Sequence, residues 1–241
     1  MQYLFGRKII YLTIIFMCAM QANAQLRYLN LEDHDDKTFH FGISVGANRS
    51  YYNFTRHPEF LISDSIRGIE SVNSTGISLA WLVNMRISEH FSLRTYPLNL
   101  VFTEKAFEYN LYSPDRFNGE DSITTKKVQG ITLSFPIQIK FTSDRIQNLK
   151  VYMFAGGKID YDMAANAGKS NSEGLLKLNK MDYGIEGGIG FHIYFPYFVL
   201  SPEIKLGYGL SNVHSRDPLY KFSNTIDKIN ARTLSFTLTV E

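Results

Sequence analysis

The sequence has a single cysteine, Cys18, and it lies in an N-terminal stretch that we expect to be removed on export. A mature chain without cysteine has no disulfide bonds and no thiolate ligands for a metal. After Gln25, no apolar run approaches the ~20 residues that a helix needs to cross a bilayer. If the mature chain spans a membrane, it therefore does so with strands.

An excess of charge of one sign is also missing. The chain has 25 Lys and Arg against 23 Asp and Glu, and the N-terminal stretch holds two of the basic residues, Arg7 and Lys8. The mature chain is therefore neutral, which gives no indication of a nucleic-acid partner. The sequence also lacks three common catalytic or phosphate-binding motifs: G-x-S-x-G, H-E-x-x-H and a glycine loop between a strand and a helix. We expect neither an enzyme nor a bound cofactor.

The N-terminal stretch has the pattern of an export signal. Two basic residues precede an apolar run over residues 9–20, and Ala22-Asn23-Ala24 follows with small residues where a signal peptidase cuts. The run is too short for a transmembrane helix. The pattern predicts a secretory signal peptide over residues 1–24, with cleavage between Ala24 and Gln25.

The mature chain is rich in period-two alternation. Eight segments place a large apolar residue at every second position, with small or polar residues between, and such alternation predicts strands with one apolar face. The segments cover residues 38–47, 76–86, 91–108, 130–141, 149–162, 181–193, 198–210 and 233–240. The third segment changes phase near Pro97, which predicts a bulge. Pro136 and Pro202 fall inside regular segments, where the loss of a backbone donor also predicts local bulges.

The connections between the segments fall into two classes. The short connections are residues 88–90, 142–148 and 196–197. The long connections are residues 49–73, 109–127, 164–180 and 211–230. This asymmetry is typical of outer-membrane barrels. The sequence predicts an all-β fold: an eight-stranded antiparallel transmembrane β-barrel over residues 38–241, with four long outer loops and short periplasmic turns. A periplasmic segment over residues 25–37 precedes it, and the even strand number places both termini in the periplasm.

A soluble eight-stranded barrel with its apolar face turned inward is the rival structure. The polar face distinguishes the two, because it is rich in Gly, Ser and Thr, which suit the crowded interior of a narrow barrel better than a surface in water. Aromatic residues also gather near segment ends, as in interfacial girdles: Phe39, Phe91, Phe141, Tyr161, Tyr183, Phe195, Tyr197 and Tyr208. We expect the apolar face to contact outer-membrane lipid.

Charged residues on the polar face of three neighbouring segments form the main candidate site. They are Lys158, Asp160, Asp162, Asp182, Glu186, Glu203 and Lys205. Paired carboxylates in one lumen suit acid–base chemistry or gating. The narrow interior of an eight-stranded barrel favours the other interpretation, a structural network of ion pairs.

Two further groups are weaker candidates. His34, with Asp33, Asp35 and Asp36, resembles a metal site, but no second histidine follows at ligand spacing, so a solvated acidic segment is the better interpretation. His214 and Asp217 in the last long loop match the residue types of a protease dyad, but hydrophilic loops use such residues without any catalytic role. We expect no catalytic, cofactor or metal site.

The mature chain resembles the PorT family of outer-membrane barrels of Bacteroidetes over nearly its whole length. The resemblance is carried by Asp35-Asp36-Lys37 before Phe39-His40-Phe41-Gly42, Asp64-Ser65-Ile66-Arg67, Phe135-Pro136-Ile137 with Lys140, Ala155-Gly156-Gly157-Lys158 with Tyr161-Asp162, Tyr194-Phe195-Pro196-Tyr197-Phe198, and Asn224-Thr225-Ile226-Asp227-Lys228-Ile229. It implies a non-enzymatic role in type IX protein secretion and gliding, alongside other proteins of that machinery. The residues alone leave open a surface barrel for adhesion or envelope integrity, and a small barrel enzyme.

Overall fold

The computed structural model describes residues 29–61, 66–112, 114, 121–163, 178–215 and 221–241. Nine strands make up most of this part: β1 (Phe39–Arg56), β2 (Ile66–Val72), β3 (Ser74–Arg86), β4 (Phe91–Leu111), β5 (Ile123–Thr142), β6 (Leu149–Asp162), β7 (Met181–Tyr194), β8 (Val199–Gly209) and β9 (Ile226–Val240). Short 3₁₀ turns cover Glu32–His34 and Pro58–Leu61, and a one-turn helix, α1, covers Lys221–Asn224. No helix in these ranges is long and apolar enough to cross a membrane.

The strands form one closed antiparallel sheet. Their order is β2-β4-β3-β1-β9-β8-β7-β6-β5, and β4 also pairs with β5, which closes the ring. Both β2 and β3 pair with β4, one after the other, so together they make a single barrel strand interrupted at Asn73. The nine strands thus occupy eight positions around the barrel, because β2 and β3 share one. The predicted eight-stranded antiparallel barrel is confirmed.

The apolar residues of each strand face outward. In β1, Phe41 and Ile43 are about 60% exposed (59% and 61%), whereas Ser44 between Ile43 and Val45 is only 2% exposed. The same alternation runs around the ring and forms an apolar belt, which includes Ile77, Ile137, Met153, Ile189, Leu206 and Phe236. Small and polar residues fill the interior, as their composition predicts. The soluble alternative, which needs an apolar interior, is wrong.

Interior glycines let neighbouring strands approach closely. A Cβ atom built on Gly156 would lie 2.0 Å from the carbonyl oxygen of Ile137, and one on Gly76 would lie 1.9 Å from that of Phe102. No side chain fits at such distances, because heavy atoms of neighbouring groups pack at about 3.5–4.0 Å. Glycine is therefore required at Gly76 and Gly156, where the neighbouring strand approaches most closely.

Strand β4 carries one extra residue near Pro97. Thr95 pairs with Val83 and Leu98 pairs with Trp81, so β4 advances three residues where β3 advances two. Before this bulge, Arg94 faces inward, and after it Thr103 does, so the inward positions change from even to odd numbers. The predicted phase change at Pro97 is confirmed.

Pro136 and Pro202 differ in how the sheet accommodates them. Pro136 in β5 lies opposite the β4 bulge, and its carbonyl accepts a hydrogen bond from Thr95 Oγ1 at 2.8 Å, so the extra residue is in the partner strand. Pro202 has no bulge, and that prediction is wrong. Its register with Leu238 in β9 is unbroken, and the β7–β8 ladder only omits the pairs beside it without a shift. A local gap in the ladder thus accommodates the missing donor.

Short connections join the strands at one end of the barrel and long connections join them at the other, as predicted. We call these the short-turn end and the long-loop end. Three of the four predicted long loops, residues 49–73, 109–127 and 211–230, are too long, because strand pairing continues into them. The predicted loop over residues 164–180 agrees with the end of β6 at Asp162 and the start of β7 at Met181. β1 extends to Arg56, β4 to Leu111, β5 starts at Ile123 and β9 starts at Ile226. These extensions lack the strict alternation that identified the strands, since they lie beyond the apolar belt.

Candidate functional site

The middle of the lumen holds a buried ion pair between Arg94 of β4 and Glu203 of β8. Arg94 Nη1 lies 2.5 Å from Glu203 Oε1, and the two residues are 0% and 1% exposed. Tyr152 Oη donates to the same carboxylate at 2.6 Å, and Lys205 Nζ lies 3.8 Å from it. Glu203 therefore has several partners that offset the loss of hydration.

Aromatic rings and an amide complete the surroundings of Arg94. Its guanidinium carbon lies 4.2 Å from the centroid of the Phe154 ring and 5.5 Å from that of Tyr96, which are cation–π distances. Arg94 Nε donates to Gln138 Oε1 at 2.7 Å, and Gln138 Nε2 donates to Glu186. One polar network thus connects β4, β5, β6, β7 and β8 across the centre of the barrel.

A second charged group lies closer to the long-loop end. Lys158 Nζ lies 2.5 Å from Asp160 Oδ2, and Ser134 also donates to Asp160. Asp182, the cross-strand partner of Asp160, accepts a hydrogen bond from Ser211 Oγ at 2.7 Å. A polar cavity of about 90 Å³ lies beside these residues, and Asp162 also lines it. The cavity is large enough for several water molecules.

All seven charged residues identified from the sequence face the lumen. Glu186, Glu203 and Lys205 join or border the central network, whereas Lys158, Asp160, Asp162 and Asp182 surround the cavity. Glu186 and Lys205 also line the cavity, so the two groups adjoin each other. That the network serves only to hold the barrel together stays a prediction.

The sequence interpretation missed Arg94, which is the central cation of the lumen. Arg94 lies just before the β4 bulge. Because the alternation is irregular there, the sequence did not indicate whether its side chain points into the lumen or outward. Tyr152 and Phe154 were also missed, because large aromatic residues were expected on the outer face. The alternation of β6 does contain the signal, since both residues lie in phase with Lys158 and Asp160.

The short-turn end is covered by residues 29–38, which we call the N-terminal segment. Asp35 holds it in place, accepting from Tyr194 Oη at 2.6 Å and pairing with Lys150 Nζ at 2.9 Å and Arg145 Nη1 at 3.5 Å. The backbone of Asn30 donates to Asn148 Oδ1 at 2.9 Å. The expected solvated acidic segment is therefore wrong in one respect, since Asp35 is half-buried and bound, whereas Asp36 stays exposed.

Ionisation of the docked segment follows from these contacts. Burial disfavours the charged form of Asp35, yet hydrogen bonds from Tyr194 and Lys150 outweigh burial and hold its pKa below the ordinary value. Burial, with the nearby His40, lowers the pKa of His34 to about 4. His40 Nε2 donates to the carbonyl oxygen of His34 at 2.7 Å, which ties the segment to β1.

The long-loop end is closed by an apolar cluster, which we call the apolar cap. It consists of Tyr52, Ile66, Ile69, Phe107, Tyr109, Leu111, Leu178, Val213, Ile226 and Ile229. Tyr52 and Phe107 stack with ring centroids 5.5 Å apart. The regions that the sequence marked as polar outer loops thus contribute a buried core above the belt.

The remaining candidates give no reactive arrangement in the described ranges. His214 is buried with its Nε2 3.0 Å from the carbonyl oxygen of Ser223, and Asp217 lies outside the described residues. Ala24 and Gln25, the predicted cleavage site, also lie outside them. Within the part of the chain that the structure covers, no group of three or more His, Cys, Asp or Glu residues could hold a metal ion.

The chain is also similar to several solved structures. Neisserial surface protein A is 13% identical, with 85% of this chain and 99% of that chain covered and a TM-score of 0.40. OprG from Pseudomonas aeruginosa is 9% identical, with 83% and 93% covered and a TM-score of 0.43. Ail of Yersinia pestis, in complex with the heparin analogue sucrose octasulfate, is 11% identical, with 83% and 96% covered and a TM-score of 0.37.

The sequence itself matches none of the curated proteins. It does match the family described as outer membrane protein beta-barrel domain, over residues 21–215. The match extends from the predicted signal peptide to the last long loop and includes eight of the nine strands. The closed ring of eight barrel strands and its outward apolar belt agree with it. The chain therefore belongs to the outer membrane protein beta-barrel domain family.

Proposed function

We propose that this barrel is a non-enzymatic accessory or assembly component of type IX protein secretion, and that it also serves gliding where that machinery drives motility. In this proposal the short-turn end and both termini face the periplasm, and the long-loop end faces the cell exterior. Its partners are outer-membrane lipid and other proteins of the secretion or gliding machinery.

The observation that carries the proposal is where the PorT-like motifs lie. Asp35 of the acidic motif accepts a hydrogen bond from Tyr194 of the strand-end motif at 2.6 Å. At the opposite end, Ile66 of the first-loop motif belongs to the apolar cap together with Ile226 and Ile229 of the last motif. Motifs that are distant in sequence thus meet in pairs at the two closed ends. This supports a role in which the ends present surfaces to partner proteins.

The filled lumen supports an accessory role over that of a conduit. Arg94 and Glu203 block the centre with buried side chains, while the N-terminal segment and the apolar cap cover the ends. An eight-stranded barrel has room for side chains or one small ligand, and none for a polypeptide. Cargo therefore crosses elsewhere in the machinery, and this barrel acts through its surfaces.

The lumen chemistry supports a non-enzymatic role. Glu203 is held by Arg94 and Tyr152, and Asp160 is held by Lys158 and Ser134. Carboxylates with such fixed partners are poor proton carriers, since each proton transfer would leave a buried charge unpaired.

The test is the secreted proteome of a deletion strain beside the wild type, with the intact gene restored as a control. We expect proteins with type IX sorting domains to collect in the periplasm after deletion, and restoration to release them. Restoring Asp35→Asn should release less cargo than restoring Asp36→Asn, because Asp35 makes the half-buried ionic contacts of the N-terminal segment, whereas Asp36 pairs with Arg86 at the exposed surface. An unchanged secretome would reject the secretion role, and altered surface binding or detergent sensitivity would then favour an adhesion or envelope role.

A further inference from the structure

A group of basic residues lies on the outward face of β1 and β9, at the long-loop edge of the apolar belt. Its members are Arg49, Arg232 and Lys228, which we call the basic patch. Tyr51 pairs with Arg232 across the two strands, and the pair Thr55 and Lys228 lies further along the same face. Arg49 pairs with Leu234, so Arg49 and Arg232 are diagonal neighbours. Diagonal neighbours have Cα atoms about 7–8 Å apart, within reach of two long side chains.

The basic patch begins where the apolar belt ends. Leu234 of β9 and Leu206 of β8 are a direct cross-strand pair, and both are strongly exposed on the outer face. One step towards the long-loop end, the pair is Arg232 and Tyr208, with the guanidinium carbon 4.9 Å from the ring centroid. Tyrosine at the edge of a belt is typical of the level of lipid headgroups. The basic patch therefore lies at headgroup level.

No carboxylate neutralises the basic patch among the residues that the structure describes. Arg49, Arg232 and Lys228 form no ion pair there, and the neighbours of the Arg232 guanidinium are the neutral tyrosines Tyr51 and Tyr208. In contrast, Arg86, Arg94 and Arg145 all pair with carboxylates.

We propose that the basic patch binds the phosphate group of an anionic membrane lipid, whose acyl chains lie against the apolar belt beside Leu206 and Leu234. The planar guanidinium group matches phosphate oxygens with two parallel hydrogen bonds, and the two arginines are close enough to contact one phosphate. Continuity between the basic patch and the belt favours a lipid over a soluble anion, because one molecule then occupies both surfaces. The inference does not depend on the secretion role.

The experiment titrates the barrel, purified in a neutral detergent, with dioleoyl phosphatidic acid and counts bound lipid by native mass spectrometry. We expect dioleoyl phosphatidic acid to bind at least about tenfold more tightly than dioleoyl phosphatidylcholine, a difference of about 1.4 kcal/mol. Arg49→Gln with Arg232→Gln should remove that preference. The matched control is Lys37→Gln with Lys180→Gln, two exposed lysines outside the basic patch, which should keep it.

Three results would overturn the proposal. The first is equal binding of the two lipids to the unchanged barrel. The second is loss of the preference for dioleoyl phosphatidic acid in the lysine control variant to the same extent as in the arginine variant. The third is full retention of that preference in the arginine variant. Glycerol phosphate is added as a competitor, and complete displacement of the lipid at equal concentration would show a soluble-anion site instead. Folding of each variant is verified by its heat-dependent migration on a gel. If the double variant does not fold, Arg232→Gln alone is measured, and an unchanged preference there also rejects the proposal.

Discussion

Arg94 and Glu203 are separated by 109 positions in the chain and form an ion pair of 2.5 Å at the centre of the lumen. They come from β4 and β8, which are not neighbours in the sheet, so the pair crosses the barrel interior. The contact links the two halves of the ring through its middle. Buried pairs of this kind are sensitive to the loss of one member, because the other charge is left without a partner.

We predict that Arg94→Met destabilises the barrel by about 3–5 kcal/mol, because it leaves Glu203 buried and unpaired. Glu203→Met should have a similar effect, and the double substitution should cost clearly less than the sum of the two. Urea unfolding in lipid vesicles measures each free energy. Arg67→Met, at an exposed position in β2, is the control and should have little effect. Additive free energies would show that the pair contributes no coupling.

A glycine pair in β6 gives a test of lumen packing. We predict that Gly156→Ala prevents or strongly reduces barrel assembly, since its Cβ would lie 2.0 Å from a backbone oxygen. Gly157→Ala should assemble normally, since the nearest atom to its Cβ would be 3.9 Å away. The fraction of folded, heat-modifiable barrel on a gel measures the effect. Equal assembly of both variants would contradict the close approach of β5 and β6.

Asp35 makes the half-buried ionic contacts that dock the N-terminal segment. We predict that Asp35→Asn releases the N-terminal segment from the short-turn end, because Lys150 and Arg145 lose their ionic partner and a buried site gains an uncompensated charge. Hydrogen exchange of the segment amides should rise at least about tenfold. Asp36→Asn is the control, since its side chain is 84% exposed and pairs with Arg86 at the surface. Equal exchange in the two variants would contradict the anchor.

Docking should also weaken as the pH falls. His34 titrates at its ordinary 6.5 when released and at about 4 when docked, so between these values only the released form binds a proton. Asp35 acts in the same direction at lower pH, because its pKa is lowered by docking. His40 and the positive charges of Lys37 and Lys140 disfavour protonation of docked His34. Protonation therefore favours release below pH 6.5, and neutral pH favours docking.

A dye attached to a cysteine at position 29 would report the release, since the predicted mature chain has no other cysteine. We expect the dye to become mobile as the pH is lowered from about 7 to about 4.5. His34→Gln should remain docked across this range. A pH response of the same size in His34→Gln would assign the effect to another group.

The apolar cap should contribute measurably to stability. We predict that Phe107→Ala costs about 3–5 kcal/mol, because it removes a fully buried ring that stacks on Tyr52. Phe102→Ala, in the same strand but 38% exposed on the outer face, should cost less. Urea unfolding compares the two. An equal cost would indicate that the cluster packs no better than the lipid-facing surface.

Features set by local sequence were predictable. Lipid on one side and a packed lumen on the other impose period-two alternation, so the eight barrel strands and their facing could be read along the chain. The phase change at Pro97 was also visible, because a bulge shifts the alternation of the strand that contains it. The same bulge concealed Arg94, whose inward direction depends on which side of the extra residue it lies.

Features that depend on distant partners were not predictable. Asp35 looked like one of several solvated acids, and only contacts with Arg145, Lys150 and Tyr194, more than 100 positions away, distinguish it from Asp36. The apolar cap escaped detection for a similar reason. Its members come from segments that each look like loops, and they become a core only when the strand extensions are side by side.

The length of the β4–β5 hairpin has a further consequence. β4 contains 21 residues, which corresponds to about 70 Å along the strand at ~3.3 Å per residue. With a tilt of about 45°, its height is roughly 50 Å, against about 30 Å for the hydrocarbon layer. The outer ends of β4 and β5, at Leu111 and Ile123, therefore extend well beyond the lipid headgroups. A large molecule can contact these strand ends without touching the bilayer.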